Sequence, residues 1–576
     1  MYNTKLAEIF NEIADMLDLE GESRSFEARA YRKAAMTLSA LQEDVSEILG
    51  KNGIKGIMEL PGIGKTIAER IKEYVDTGKI AKYEELKKKY PIDFATLTKI
   101  QGLGSKKAFK LYKALGVKNV DDLKKAVDAH KIRDLEDFGE KSEESIAKGL
   151  AFFATSQNRM LLGTALPEAE AIVKKLIESK LVSRAVIAGS TRRMRETVGD
   201  LDILVTSSKN EEVMDFVAKL PEVANIVVKG PTKTTVELKI GLTCDVRVVS
   251  DESFGSALQY FTGSKDHGIA VRQIAIKKGY KLSEYGLFDK RGRNIVAGQG
   301  EEAIYKALGM DYIQPEMREA RGEIELALKH NLPKLVEQKD IMGDLHTHTK
   351  FSDGTNTIDE MVEKAISLGR KYIGFSDHTK SEYVAHGMDS KQFAKYFEAL
   401  DSAKKKYGDK IEILKSGEID ILKDGSLDLD RKTLELMDYR LCAVHTQRNM
   451  PRNEMTNRIV KAIESGYVDI LAHPSGRLIN ERAALDFDLD KVFEAAKDNN
   501  VIMEINAQPT RLDLNDENIM KAKEYGLKFA IGTDSHHTSD MDFMRYGIGT
   551  ARRGWLTKDD IITTKDVKQL LEVLKK

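Results

Sequence analysis

Three carboxylates and a crowd of histidines are the residues in this chain whose types and spacing could do chemistry. In GSTRRMRETVGDLDILV (189–205), Asp200 and Asp202 stand two apart on a predicted strand, so both face one side, while Leu201, Ile203 and Val205 face a core. Asp245, in CDVRVV, sits on a second strand with the same alternation. Three converging carboxylates make an oxygen-rich site that suits two Mg2+ ions, the arrangement that serves attack by a hydroxyl and departure of pyrophosphate. Upstream, Gly189 and Ser190 form a tight strand-to-helix turn, with Arg193 one helical turn on. The turn's N–H groups, the Ser190 hydroxyl and the Arg193 guanidinium together would cradle a triphosphate. A bare Asp-x-Asp is more often a surface pair; the Gly-Ser turn and the later strand Asp are what make this one a site.

The second group lies toward the C-terminus, where eight of the eleven histidines follow residue 340. DLHTHTKFSDG (344–354) puts His346 and His348 on one face of a strand end, with Asp353 in the loop behind, and TDSH repeats that geometry with Asp534 and His536. Between them come His378 in SDHT, Glu418 in GEID, His445 in CAVHT and His473 in LAHP. Imidazoles and carboxylates gathered at successive strand ends form a multinuclear metal site. Lys350, His386 and Arg477 are candidates for phosphate contact, equally readable as ordinary surface, and so is His537.

The elements that must position these groups follow from periodicity. Residues 1 to about 155 read as helices joined by Gly-containing turns, beginning with an amphipathic helix that places Leu6, Ile9, Phe10, Ile13, Met16 and Leu17 on one face. Within them, LPGIGKTIAERI (60–71) and IQGLGSKKAFKLY (100–112) share a Gly-x-Gly turn ahead of a helix. Gly62 and Gly64, then Gly102 and Gly104, present N–H groups to a phosphate, with Lys65, Lys106 and Lys107 adding charge. A poorer third copy is DFGEKS (137–142). From 157 to 250 strand patterns such as LDILVTS and CDVRVVS appear, and from 341 onward short apolar strands alternate with helices, which implies a parallel sheet or barrel.

Bulk properties bound the rest. A chain of 576 residues needs several domains, and its formal net charge of −1 leaves nucleic-acid binding to local patches and backbone contacts. Cys244 and Cys442 cannot build a disulfide framework and suit a reducing compartment. No signal peptide and no membrane-length apolar run is seen.

These motifs resemble known families. The paired turns are similar to the helix-hairpin-helix of DNA repair proteins, and the Gly-Ser turn with its aspartates resembles the nucleotidyltransferase signature of the polymerase-beta superfamily. YFTGS, with Tyr260, Phe261, Gly263 and Ser264, matches the family X segment beside the sugar of the incoming nucleotide, and Arg272 matches a residue on the template's minor groove. The histidine-rich region looks like a PHP (polymerase and histidinol phosphatase) domain. The resemblance implies His346, His348, Glu418 and Asp534 for one metal, a bridging Glu418 with His445 and His473 for a second, and Asp353, His378 and His536 for a third.

It implies a multidomain fold: helical N-terminal domain 1–90, second helical domain 91–156, α+β palm 157–250, thumb 251–318, linker 319–339, and a distorted (β/α) PHP barrel 340–576. It further implies gap filling in base excision repair with 3′–5′ exonuclease activity, on gapped or nicked DNA and dNTPs. Two Mg2+ are expected in the palm, up to three Mn2+ or Zn2+ in the PHP domain, and a monomer in a prokaryotic cytoplasm. One departure stands out: the lysine that forms a Schiff base in deoxyribose-phosphate removal aligns with Arg70, which stays protonated, so lyase activity through that residue is not expected. The alternative is a DNA-tethered PHP nuclease or phosphatase with a non-catalytic palm.

Overall fold

The computed structural model describes all residues but 1, 21–23, 42–43, 99, 101, 157–158 and 575–576. It divides into two compact units, one of residues 1–157 with 480–483, the other of 158–479 with 484–576.

The first unit is helical. Helix α1 (Lys65–Thr77) buries Ile67, Ala68 and Ile71 on one face and ends on Gly78 in the left-handed conformation. Helix α2 (Ser105–Leu115) repeats the plan with Ala108 and Leu111 buried and Gly116 closing it. Both faces join one core with Leu6, Phe10, Ile13 and Leu17, the apolar stripe of the N-terminal helix. Helix α3 (Glu140–Ser156) follows the third Gly-containing turn.

The second unit opens with a five-stranded sheet. Its strands are β1 (Arg184–Ile187), β2 (Asp200–Thr206), β3 (Val223–Lys229), β4 (Lys233–Leu238) and β5 (Thr243–Val249), in spatial order β1-β2-β5-β4-β3. Only β2 and β5 run parallel, with Asp202 opposite Asp245. Leu201, Ile203, Val205, Cys244 and Val246 point into one core, so period-two alternation sends the aspartates to the other face. Between β1 and β2 a one-turn helix, α4 (Gly189–Arg192), starts at the predicted turn. Helices α5 (Phe254–Thr262) and α6 (Lys265–Lys277) follow. The segment expected to link onward carries α7 (Glu323–Leu328), whose Ile324 and Ala327 pack into the same core as Val271 and Leu287.

The rest alternates strand and helix. Strands β6 (Gly343–Asp344), β7 (Tyr372–Phe375) and β8 (Glu412–Lys415) form one parallel sheet. Strands β9 (Glu418–Asp420), β10 (Leu441–Ala443), β11 (Ile470–Leu471), β12 (Ile502–Asn506) and β13 (Phe529–Gly532) form another. Parallel bridges Thr347–Ser535 and His378–Glu418 join the two sheets at one rim, closing a distorted barrel. Helices α8 (Asp516–Glu524) and α9 (Met544–Arg553) flank the last strands. Among the described residues no helix is long and apolar enough to cross a membrane.

Candidate active sites and DNA-binding turns

The palm carboxylates meet because of register. Asp202 and Asp245 are partners across β2 and β5, and Asp200 lies two residues back on the same face. Burial, then the nearby Asp200 and Asp245 charges, push the Asp202 carboxyl up to about 6. Asp245 is the braced member: Thr235 Oγ1 donates to its Oδ1 at 2.5 Å, and Lys233 Nζ lies 2.6 Å from its Oδ2. Gly189 is required here, since its φ is +62° and a Cβ would come 2.4 Å from Asp202 Oδ2. Mutual repulsion among three oxygen donors is a charge deficit that a divalent cation corrects, so the donor set fits Mg2+.

A cleft of about 760 Å3 opens beside them, lined by Gly189, Ser190, Arg193, Asp200, Asp202, Tyr260, Phe261, Gly263, Ser264 and Arg272, but not by Asp245. Arg272 sits over the Tyr260 ring at 5.8 Å. Ser264 caps α6, its hydroxyl accepting from the His267 N–H at 3.3 Å. Arg193 is already engaged: its Nη1 donates to the Thr262 carbonyl at 2.5 Å and its Nε lies 3.1 Å from Glu319 Oε1. Sequence reasoning missed Arg159, Arg195, Lys265 and Glu319, which share the cleft.

The histidine cluster occupies the closed rim of the barrel, where the C-terminal ends of parallel strands point. His346 and His348 follow β6, His378 follows β7, Glu418 opens β9, His445 follows β10, His473 follows β11, and Asp534 and His536 follow β13. Donor atoms of His346, His348, Glu418 and Asp534 converge within 4.8 Å of one another. So do those of His348, Asp353, His378 and His536, and those of His378, Glu418 and His445. His348 and His378 are thus each shared between two groups, a feature the expected sets lacked. His473 Nε2 lies 2.6 Å from Glu418 Oε1, and His445 Nε2 lies 3.0 Å from the same oxygen.

The electrostatics are those of a preformed cation site. Burial opposes charge on Glu418, yet His445, His346, His378 and His473 around it hold its carboxyl well below the usual range. Asp534 is depressed likewise, against its burial, by His346, His348, His536 and Arg511. His445 and His536 are pushed up to about 10: burial works against this, and Glu418 with Asp420, or Asp353 with Asp534, overrides it. Burial lowers His378 and His473 to about 3, Arg511 adding to the effect at His473. Nε2 of His346, His348 and His445 is buried and makes no well-aligned hydrogen bond, although oxygens of Glu418 and Asp534 lie 3.0 to 3.3 Å away, so nitrogens and carboxylates crowd the same centres. That donor set fits transition-metal ions.

Glu504, on β12, escaped the sequence reading. It is buried, lies 2.6 Å from His346 Nδ1, fixing that ring from behind, and accepts from the His473 backbone N–H at 2.6 Å, holding the chain that carries the second ring. A carboxylate inside the apolar run VIMEIN was the available signal. Asp420 braces His445, accepting its backbone N–H at 2.9 Å and lying 3.6 Å from its ring Nδ1. Arg477, a candidate phosphate contact, instead spans to Glu196 at 2.6 Å and donates to the carbonyls of Arg511 and Leu512. His537 caps a short helix, accepting from Ser539 N–H. His386 holds a left-handed conformation and Lys350 is exposed.

In the helical unit, Gly62 and Gly102 turn the chain at φ +75° and +86°. Gly64 and Gly104 are the N-caps of α1 and α2, which leaves the first helical N–H groups without helical partners. Lys65 and Lys106 are exposed beside them, while Lys107 is tied to the Gly102 carbonyl and to Ser142. Arg70 pairs with Glu73 at 2.8 Å, and Lys72 pairs with Asp76.

Comparison with known proteins agrees with this layout. The helix-hairpin-helix domain family matches residues 1–80, the SAM-like helix-hairpin-helix tandem 94–151, the DNA polymerase beta thumb 257–319 and the PHP domain 344–508. A polymerase-beta-type lobe joined to a PHP domain defines the class: a family X polymerase with a C-terminal PHP domain. Bacillus subtilis (strain 168) DNA polymerase/3′-5′ exonuclease PolX is 36% identical over 578 residues, covering 100% of both chains, and the present chain belongs to that family. Partial relatives divide along the same line. A probable phosphatase of Thermoanaerobacter sp. (strain X514) is 31% identical over 40% of this chain and 94% of its own. Arabidopsis thaliana DNA polymerase lambda is 25% identical over 55% of this chain and 62% of its own.

Proposed function

We infer that this chain is a DNA-directed DNA polymerase that fills short gaps in repair, and that its PHP domain is a metal-dependent 3′–5′ exonuclease. The observation that carries the reading is the presence of both donor constellations in one chain that is alignable end to end with a polymerase/exonuclease.

In the palm, Asp200, Asp202 and Asp245 would hold two Mg2+, and in the PHP domain the His/Asp/Glu groups would hold up to three Mn2+ or Zn2+. When bound, such ions supply Lewis-acid stabilisation of phosphate charge and an activated nucleophile. The protein's own contribution is placement. Ser190, the turn N–H groups and Arg193 orient the triphosphate; Tyr260, Phe261, Gly263 and Ser264 form the wall against its sugar; Arg272 faces the template strand. The Gly62/Gly64 and Gly102/Gly104 turns, with Lys65 and Lys106, grip phosphates without reading bases, so binding weakens as salt rises. The domain limits proposed are 1–90, 91–156, 157–250, 251–318 and 340–576, with 319–339 expected as a linker but carrying α7 into the core of 251–318. A cytoplasmic monomer lacking lyase chemistry at Arg70 completes the proposal.

The test uses a gapped, 5′-phosphorylated duplex with a labelled primer, in Mg2+ or Mn2+, with and without dNTPs. Asp202→Ala is expected to lose extension only, and His346→Ala 3′ shortening only. Wild-type protein that shortens primers and never extends them would overturn the polymerase half and leave the palm as a scaffold.

A further inference from the structure

We propose that the PHP lobe supplies a positioning residue to the polymerase site: Arg553, acting through Glu319, sets the orientation and effective charge of Arg193. The proposal rests on the reading of Arg193 as a triphosphate contact.

Three observations carry it. First, Arg553 ends helix α9 of the PHP lobe, yet its Nη1 lies 2.9 Å from Glu319 Oε1 and donates to the Arg193 carbonyl at 2.9 Å. Second, Glu319 Oε1 is shared, because Arg193 Nε lies 3.1 Å from the same oxygen, while Arg195 approaches Oε2 at 3.7 Å. Third, the turn that follows Arg193 is held in an unfavourable shape. Met194 has φ +53°, and it packs so closely on Gly549 of α9 that a Cβ there would meet Met194 Cβ at 3.0 Å.

The physical consequence follows from charge sharing. A carboxylate serving one guanidinium neutralises it; one shared with a second, buried guanidinium does so only in part. Arg553 is 4% exposed and anchored on its other side by Asp516 at 2.5 Å, so it is fixed in place. With Arg553 present, Arg193 keeps net positive potential toward the cleft. Without it, Glu319 closes on Arg193, and the Arg193–Met194 turn loses its clamp. The nucleotide site is therefore completed by a residue of the nuclease lobe.

The experiment compares full-length wild type, Arg553→Gln, Arg553→Lys and Arg193→Ala in primer extension on gapped DNA. It measures KM for dNTP, KM for DNA and kcat separately, together with 3′ shortening without dNTPs and the melting temperature. Expected is a rise of about tenfold in KM for dNTP with Arg553→Gln, the size of losing a hydrogen bond to a charged group. Arg553→Lys should recover most of it, while KM for DNA and 3′ shortening stay within about twofold of wild type. An unchanged dNTP KM in Arg553→Gln beside a raised one in Arg193→Ala overturns the proposal and spares the nucleotide-site reading. The same holds if dNTP KM, DNA KM and shortening all worsen together, since Arg553 then serves only lobe packing. An unchanged dNTP KM in Arg193→Ala overturns both.

Discussion

The palm and the barrel rim solve one problem, holding cations against phosphate oxygens, in opposite ways. The palm uses three carboxylates from two adjacent strands, with no imidazole and little bracing beyond Thr235 and Lys233. Its charges repel one another, and Asp202 shows the stress as a carboxyl pushed up to about 6. The rim uses eight residues in three donor groups, with His473 beside them, gathered round the end of a barrel and mostly buried, with negative and positive partners interleaved. There the stress is already compensated: Glu418 and Asp534 are held ionised by surrounding imidazoles. A site whose charge is corrected only on binding suits a cation that arrives and leaves with a nucleotide, while a compensated, enclosed site suits ions that stay.

The sharpest break of this comparison removes one carboxylate from each side. Glu418 belongs to two donor groups, so Glu418→Gln should cost 3′ shortening about a thousandfold or more, several kcal/mol of Lewis-acid stabilisation at 1.36 kcal/mol per decade. Asp202→Asn should cost extension comparably, again about a thousandfold. Each variant should leave the other activity near wild type on the same gapped substrate. Loss of both activities in either variant would mean that the sites are not separate.

Next in size is the support behind the rim. Glu504 touches the His346 ring and the His473 backbone, and belongs to none of the three donor groups. Glu504→Gln should weaken metal affinity and shortening about 10- to 100-fold, with recovery as Mn2+ is raised. If added Mn2+ restores nothing, Glu504 acts on the substrate and not on the ligands. In the palm the matching brace is Thr235, whose hydroxyl holds Asp245. Thr235→Val should raise the Mg2+ needed for half-maximal extension about tenfold or less, the value of one hydrogen bond to a charge. An unchanged Mg2+ requirement would show Lys233 to be sufficient by itself.

How far the sequence reveals these differences depends on spacing. Asp200 and Asp202 could be read from period two, and the rim histidines from their recurrence at the ends of apolar runs, because local geometry fixes which way they face. Glu504 hid because β12 is buried throughout, and a buried parallel strand has no alternation to mark its polar member. Arg553 and Glu319 are 234 residues apart, and no local period predicts that they meet. Arg477 carried the signal of a phosphate contact and met Glu196 instead, for the same reason. The sharing of His348 and His378 between metal groups depends on how the barrel closes, through the His378–Glu418 and Thr347–Ser535 bridges, which short strand segments do not announce.

The smallest effect separates the two sites by proton competition. At the rim, His445 and His536 have folded-state values raised to about 10, above the ordinary 6.5. Their protonation therefore stabilises the cation-free fold fully below 6.5, and that contribution is lost as pH rises through about 10. A metal must displace those protons, so its affinity should climb with pH across 6.5 to 10, by up to about tenfold per unit for each proton released. In the palm, Asp202 is raised from 3.8 to about 6, so its ionisation weakens the cation-free fold over that interval and adds nothing further above it. Proton competition there is nearly finished by neutrality, and Mg2+ affinity for extension should change less than about twofold between pH 6.5 and 7.5. Metal titrations of the two activities at those two pH values test the difference. Parallel slopes would mean that the rim is no more proton-loaded than the palm, and the contrast between a compensated and an uncompensated site would fail.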